Sequence, residues 1–169
     1  MLKSVLNYLE RSEDRFPDKE AVIDERGSDT YRGLAEQARR VGTFLAERGL
    51  KENGVVAVLI GKNRAALKAF WGAVYAGGIY APLDCHAPAA RLKLILEVLQ
   101  PSFLLTDAEN REKAMELADS GKVIGLEEAL ETAADRPLLE RIQKRRIDLD
   151  PAYIICTSGS TGIPKGVVI

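Results

Sequence analysis

Several common chemistries are excluded by what this chain has little of. It holds two cysteines, Cys85 and Cys156, with no CxxC spacing, so neither a disulfide framework nor a zinc site is indicated. Its one histidine, His86, would have to serve any Ser-His-Asp or Cys-His machine, and the setting Pro82-Leu83-Asp84-Cys85-His86-Ala87-Pro88 reads as a turn. An excess charge of either sign is missing too. The 24 basic and 25 acidic side chains nearly cancel, leaving no long-range field to draw the protein onto nucleic acid or an anionic membrane. The longest uncharged stretch, 69–83, contains three glycines and a proline and falls short of the ~20 apolar residues of a membrane span. Lys3, Asn7 and Glu10 interrupt the apolar residues at the start, which argues against a secretory segment there, and the expected address is the cytoplasm.

What is present suits a packed, soluble domain: 46% of the 169 residues are hydrophobic and 29% charged, with the charges mixed in sign. Leu2, Val5, Leu6 and Leu9 have helical spacing, and that helix runs out near Phe16-Pro17. A short strand is expected at 21–24, then a turn at Arg26-Gly27-Ser28-Asp29. Thr30 caps a second helix with Leu34, Ala38, Val41 and Leu45 on its apolar stripe. The unbroken run 55–60, bounded by Gly54 and Gly61, reads as a strand buried on both faces of a parallel sheet. Asn63 then caps a helix with Leu67, Phe70, Trp71 and Val74 on one face, stopped at Gly77-Gly78.

The alternation goes on with a strand at 79–83, a helix opened by Pro88, a strand at 102–106, a helix capped by Asp107, a strand at 123–124 and a helix over 127–134. Repeated strand-helix units imply an α/β fold with a Rossmann-like, mostly parallel sheet flanked by helices. Over 135–151 the pattern weakens into mixed charge with Pro137 and Pro151, and reads as a connecting segment. Its basic triplet Lys144-Arg145-Arg146, flanked by Glu140 and Asp148, reads as a solvated face rather than a nucleic-acid patch.

The most informative stretch is 152–169. A strand leads into Thr157, Ser158, Gly159, Ser160, Thr161 and Gly162, and Ile163-Pro164-Lys165-Gly166 then opens a second apolar strand. Glycines let successive backbone N–H groups point into one concavity, the hydroxyls add donors, and Lys165 supplies a cation for a charge-assisted bond to a phosphate oxygen. The Walker pattern does not apply, because the fifth residue after Gly159 is Pro164 and Lys165 is followed by Gly166 rather than Ser or Thr. A flexible Gly-Ser linker is the plain alternative. Two flanking apolar strands and a single Pro-Lys-Gly favour phosphate binding.

These residues resemble the adenylate-forming superfamily, which includes acyl-CoA synthetases, luciferases and the adenylation domains of nonribosomal peptide synthetases. Residues 157–166 match its signature phosphate loop at every motif position. Thr30-Tyr31-Arg32-Gly33-Leu34 is similar to its early Thr-Tyr-x-x-Leu motif, and Ala76-Gly77-Gly78-Ile79-Tyr80-Ala81-Pro82-Leu83-Asp84 to its Ala-Gly-Gly-x-Tyr-x-Pro-Leu/Ile-Asp motif. Pro82-Leu83-Asp84 and Tyr153-Ile154-Ile155 look most like amino-acid activators, including D-alanine carrier-protein ligases. Cys85 and Cys156 depart from the usual proline and tyrosine, and both read as small packing residues rather than nucleophiles.

The resemblance implies a ligase that converts a carboxylic or amino acid to its adenylate with ATP and passes it to CoA or a phosphopantetheinyl carrier protein. Thr157, Ser158, Gly159, Ser160, Thr161, Gly162 and Lys165 would hold the phosphates. No catalytic residue and no metal ligand is expected in this chain, and the main ligands of Mg2+ are expected downstream. Residues 1–169 are expected to be an N-terminal fragment of an adenylation domain, inactive alone, with neither nucleic acid nor membrane as partner. Two other readings stand beside this one: a nucleotide- or phosphate-binding module without turnover, and an assembly half of a split protein, self-associating through an exposed sheet edge.

Overall fold

A computed structural model describes residues 4–158 and 164–169, with Ser158 defined through its backbone. At its centre is β3 (Val55–Leu59), whose Val56, Ala57, Val58 and Leu59 are buried, as a continuous apolar run requires of a strand covered on both faces. β4 (Ile79–Pro82) lies on one side and β5 (Phe103–Thr106) on the other, followed by β6 (Val123–Gly125), giving a parallel sheet of order β4-β3-β5-β6. Residues that alternate along β3 enter two separate cores. Val56 and Val58 pack with α2 (Tyr31–Glu47), α3 (Arg64–Tyr75) and α6 (Leu126–Glu131), while Ala57 and Leu59 pack with α4 (Ala89–Leu99) and α5 (Arg111–Leu117). The chain thus leaves β3 toward one face and β5 toward the other, the reversal that opens a crevice at the carboxyl ends of such sheets.

Thr30 and Asn63 cap where the sequence places them, while Asp107 caps a 3-10 turn (Ala108–Asn110) that leads into α5 rather than α5 itself. The Thr30 hydroxyl accepts from Gly33 N at 3.1 Å, Asn63 Oδ1 from Ala66 N at 3.2 Å, and Asp107 Oδ1 from Asn110 N at 3.0 Å. α2 and α3 cross in close contact, because a Cβ on Gly72 would lie 2.4 Å from Val41 Cγ1. The first helix, α1 (Leu6–Arg15), buries Leu6 and Leu9 against this pair.

Three sequence expectations need correction. The polar cluster over 26–29, read as a turn, is mostly strand: β2 (Gly27–Thr30) pairs antiparallel with β1 (Glu20–Asp24), and Gly27, at φ 132°, supports the bend between them. No apolar alternation marks this strand, because ion pairs fasten it. Asp29 binds Arg64 at 3.3 Å and Lys68 at 3.0 Å. Within 135–151 lies a helix, α7 (Arg136–Gln143), capped by Asp135 and seated through buried Leu139; Gln143 Nε2 also donates to the carbonyls of Val74 and Tyr75 at 2.7 and 3.0 Å. The basic triplet is only partly a solvated face, since Lys144 and Arg145 are exposed but Arg146 is just 6% exposed.

The last strands, β7 (Ile154–Ser158) and β8 (Pro164–Val168), form an antiparallel hairpin in register from Ile154↔Val168 to Ser158↔Pro164. One parallel bridge, Tyr80↔Tyr153, joins it to the edge of the sheet, with Tyr80 N donating to Ala152 O at 3.2 Å. The rings of Phe70, Tyr80 and Tyr153 stack in series, with centroids 4.5 and 5.3 Å apart. Among the described residues, no helix is long and apolar enough to cross a membrane.

Candidate functional site

β7 begins parallel to β4 and runs toward the carboxyl ends of the sheet, the end at which α/β folds bind ligands. Alternation decides which of its side chains can face a ligand. Ile154 is buried and Cys156 packs beside it against the α4 side, so Ile155 and Thr157 fall on the opposite, exposed face. Thr157 is the ladder partner of Lys165, and paired residues of an antiparallel ladder project from the same face. Thr157 Oγ1 approaches Lys165 O at 3.4 Å, a long contact that a better acceptor can displace. Among the described residues Lys165 has no ion-pair partner, and it is exposed. The structure therefore brings together two of the residues the sequence singles out, a hydroxyl and an ammonium group. The Ser158 side chain and Gly159, Ser160, Thr161 and Gly162 lie outside the described residues.

Next to this hairpin, the turn after β4 is tightly held. Asp84 Oδ1 accepts from His86 N at 2.9 Å, and Lys113 Nζ donates to the carbonyls of Cys85 and Ala87 at 2.7 and 2.8 Å. That Asp84 oxygen thus serves the backbone of His86 rather than orienting its ring. Burial pushes the Cys85 thiol up, helped by Asp107 and Asp84, and burial likewise raises Cys156, so both remain protonated packing groups.

A cavity of about 800 Å³ opens at the carboxyl ends of β3 and β4. Val22, Ile60, Leu67 and Phe70 give it an apolar wall, while Lys62 and His86 stand among its polar groups. Neither Thr157 nor Lys165 lines it. One rim is fixed by Asp24, which accepts from Arg64 N and Arg64 Nε at 3.0 Å each. The backbone bond from Arg64, then that from Arg26 and the guanidinium of Arg64, hold its carboxyl down to about 2 despite an opposing desolvation. Among the described residues no three His, Cys, Asp or Glu side chains are grouped to hold a metal ion.

Sequence reasoning missed the groups that seat the hairpin. Asn53 and Gly77 both have positive φ, 58° and 76°, and the Asn53-Gly54 pair was the available signal for such a conformation. No sequence signal marks Arg146 as buried.

Comparison with known proteins matches residues 9–169 to a family model described as AMP-binding enzyme. Surfactin synthase subunit 1 of Bacillus subtilis (strain 168) is 40% identical over 166 residues, which is 98% of this chain but 4% of that protein. Among solved structures, the nonribosomal peptide synthetase FmoA3 in its alpha-methyl-L-serine-AMP bound form superposes with a TM-score of 0.82 at 32% identity, covering 96% of this chain and 17% of that one. The Klebsiella oxytoca NpsA N-terminal subdomain in complex with 3-hydroxybenzoyl-AMSN gives a TM-score of 0.76 at 25% identity, covering 99% of this chain and 41% of that one.

Proposed function

This chain belongs to the AMP-binding enzyme family, and from that membership we propose that it is the phosphate-holding, N-terminal part of a ligase that activates an amino acid as its adenylate. The observation that carries this reading is the Thr157↔Lys165 pair on the exposed face of a hairpin running toward the carboxyl end of a parallel sheet. The fit to ATP is chemical. An ammonium group without an acidic partner among the described residues and a hydroxyl in a long, displaceable contact suit anionic oxygens, and Ser158, Gly159, Ser160, Thr161 and Gly162 would contribute further hydroxyl and amide donors.

Bound ATP supplies an electrophilic α-phosphorus and a pyrophosphate leaving group. A substrate carboxylate oxygen forms a bond to that phosphorus as the bond to the bridging oxygen breaks, and a thiol of CoA or of a carrier's phosphopantetheine then displaces AMP at the carbonyl. The part played by this chain is positional and electrostatic: Lys165 and the loop donors hold the β- and γ-phosphates in line and neutralise charge that grows as pyrophosphate departs. Mg2+ would take its main ligands from the rest of the parent protein and would neutralise charge on the phosphates. The chain spans only 4% of surfactin synthase subunit 1 and 17% of FmoA3.

The deciding experiment is ATP–pyrophosphate exchange by the full-length polypeptide that carries this chain, across the amino acids and a set of fatty and aromatic acids. Exchange with an amino acid is expected. Lys165→Ala should raise the KM for ATP about tenfold, the effect of losing about 1.4 kcal/mol of charge-assisted binding. A full-length protein that exchanges with no carboxylate sinks the reading.

A further inference from the structure

Among the described residues, the hairpin that carries Thr157 and Lys165 hydrogen-bonds to the sheet through few groups, which raises the question of what fixes its position. Its lead-in, 146–152, holds no helix or strand, and among the described residues it meets the sheet ladder at the Tyr80↔Tyr153 bridge. Ile154 and Cys156 pack into the core on the α4 side, and the polar part of the attachment comes from one buried guanidinium. Arg146 is 6% exposed, and its fork reaches in three directions. Nη1 donates to Asn53 Oδ1 at 2.6 Å and to Gly77 O at 3.0 Å, Nη2 donates to Pro151 O at 2.9 Å, and Nε pairs with Asp150 Oδ2 at 3.3 Å.

Each partner has a place in the architecture. Asn53 and Gly77 are the two left-handed residues just before β3 and β4, and Asn53 N donates to Gly77 O at 2.9 Å, so together they mark the amino end of the sheet. Pro151 is the residue before Ala152, whose carbonyl receives Tyr80 N and whose N–H donates to Ile169 O at 2.7 Å. One side chain therefore bridges the rigid base of the sheet and the first residue of the hairpin unit. A buried charge fully supplied with acceptors is costly to break, because removing one partner leaves the rest unpaired. Only a planar fork reaches all of these acceptors together, which lysine cannot do.

We infer that Arg146 is a positioning residue for ATP, acting through Pro151 and the β7–β8 ladder to set where Thr157 and Lys165 stand relative to the parallel sheet. This rests on the reading of Thr157 and Lys165 as phosphate ligands. The inference predicts a selective defect. Nucleotide affinity should fall, whereas the acid substrate, which does not meet the hairpin residues in this reading, should be little affected.

The test is steady-state exchange by the full-length protein, with KM for ATP and for the acid measured separately in Arg146→Gln, Arg146→Lys, Asn53→Gly and the exposed control Arg145→Gln. Arg146→Gln is expected to raise the KM for ATP about tenfold, equivalent to about 1.4 kcal/mol, with the KM for the acid within about twofold. Arg146→Lys should recover part of that loss by keeping the charge and one bond, and Arg145→Gln should match the parent. Asn53→Gly keeps the left-handed backbone while deleting the Oδ1 acceptor, so it decides the matter even where Arg146→Gln yields no folded protein; a rise of about threefold in the KM for ATP is expected. Unchanged KM for ATP in folded Arg146→Gln or in Asn53→Gly overturns the inference, as does a loss confined to kcat with no recovery by lysine. If Lys165→Ala also leaves the KM for ATP unchanged, the phosphate-site reading itself has failed; if Lys165→Ala raises it and Arg146→Gln does not, only the role of Arg146 has.

Discussion

Asp24 shows how one side chain can join two elements. Its carboxylate closes the end of β1 and at the same time receives the first free N–H of α3 and the side chain of Arg64. Because its pKa is held down to about 2, against about 3.9 for an unfolded aspartate, its stabilising contribution is complete above about pH 4 and is lost as the pH falls through about 2. Urea unfolding of the parent and of Asp24→Asn from pH 6 down to pH 2 should therefore show the variant less stable at pH 6 and the two converging in acid. A constant difference across that range would contradict the assignment. At this scale the caps Thr30, Asn63 and Asp107 were legible in the sequence, because a cap needs only its own side chain and the next three residues. Arg146 was not. Its acceptors, Asn53 and Gly77, lie 93 and 69 residues away, and nothing local separates it from exposed Arg145.

Among the elements, α2 and α3 form the tightest joint. An added Cβ at Gly72 would stand 2.4 and 2.5 Å from Val41 side-chain atoms and 3.2 Å from Ala38 O. Alanine there gains up to about 1 kcal/mol of helix propensity but overpacks the crossing, and a net loss of roughly 1–3 kcal/mol is expected from Gly72→Ala in urea unfolding. An unchanged or raised midpoint would mean that the helices can separate at little cost. Elements driven by apolar periodicity, such as α2, α3 and the buried run of β3, could be read directly, since burial and repeat are the same fact there. β2 and α7 could not. β2 is a polar strand held by salt bridges from α3, and α7 presents only a short apolar face in a charged segment, so both depend on neighbours distant in sequence. The residues proposed to hold phosphate stand out in the sequence as a pattern of types, whereas the pairing of Thr157 with Lys165 needed the register of the hairpin.

Across the whole molecule, stability is unevenly shared. β3 is flanked by strands on both sides and covered by helices on both faces, while β7 and β8 pair chiefly with each other and leave Ile155, Val167, Val168 and Ile169 exposed. Native-state hydrogen exchange should find the amides of Val56, Ala57 and Val58 exchanging only through global unfolding, and those of β7 and β8 through smaller openings. Equal protection in the two regions would refute this gradient.

Bridged to the sheet, among the described residues, at Tyr80 and Tyr153, the hairpin can be treated as a lever with its fulcrum there. From there to Thr157 the strand extends about 13 Å, so a tilt of about 10° at the fulcrum would carry the threonine roughly 2 Å. Such a displacement is comparable to the margin between a formed and a broken hydrogen bond. Changes in ring stacking or at a buried guanidinium would then be magnified at Thr157 and Lys165, the proposed phosphate ligands.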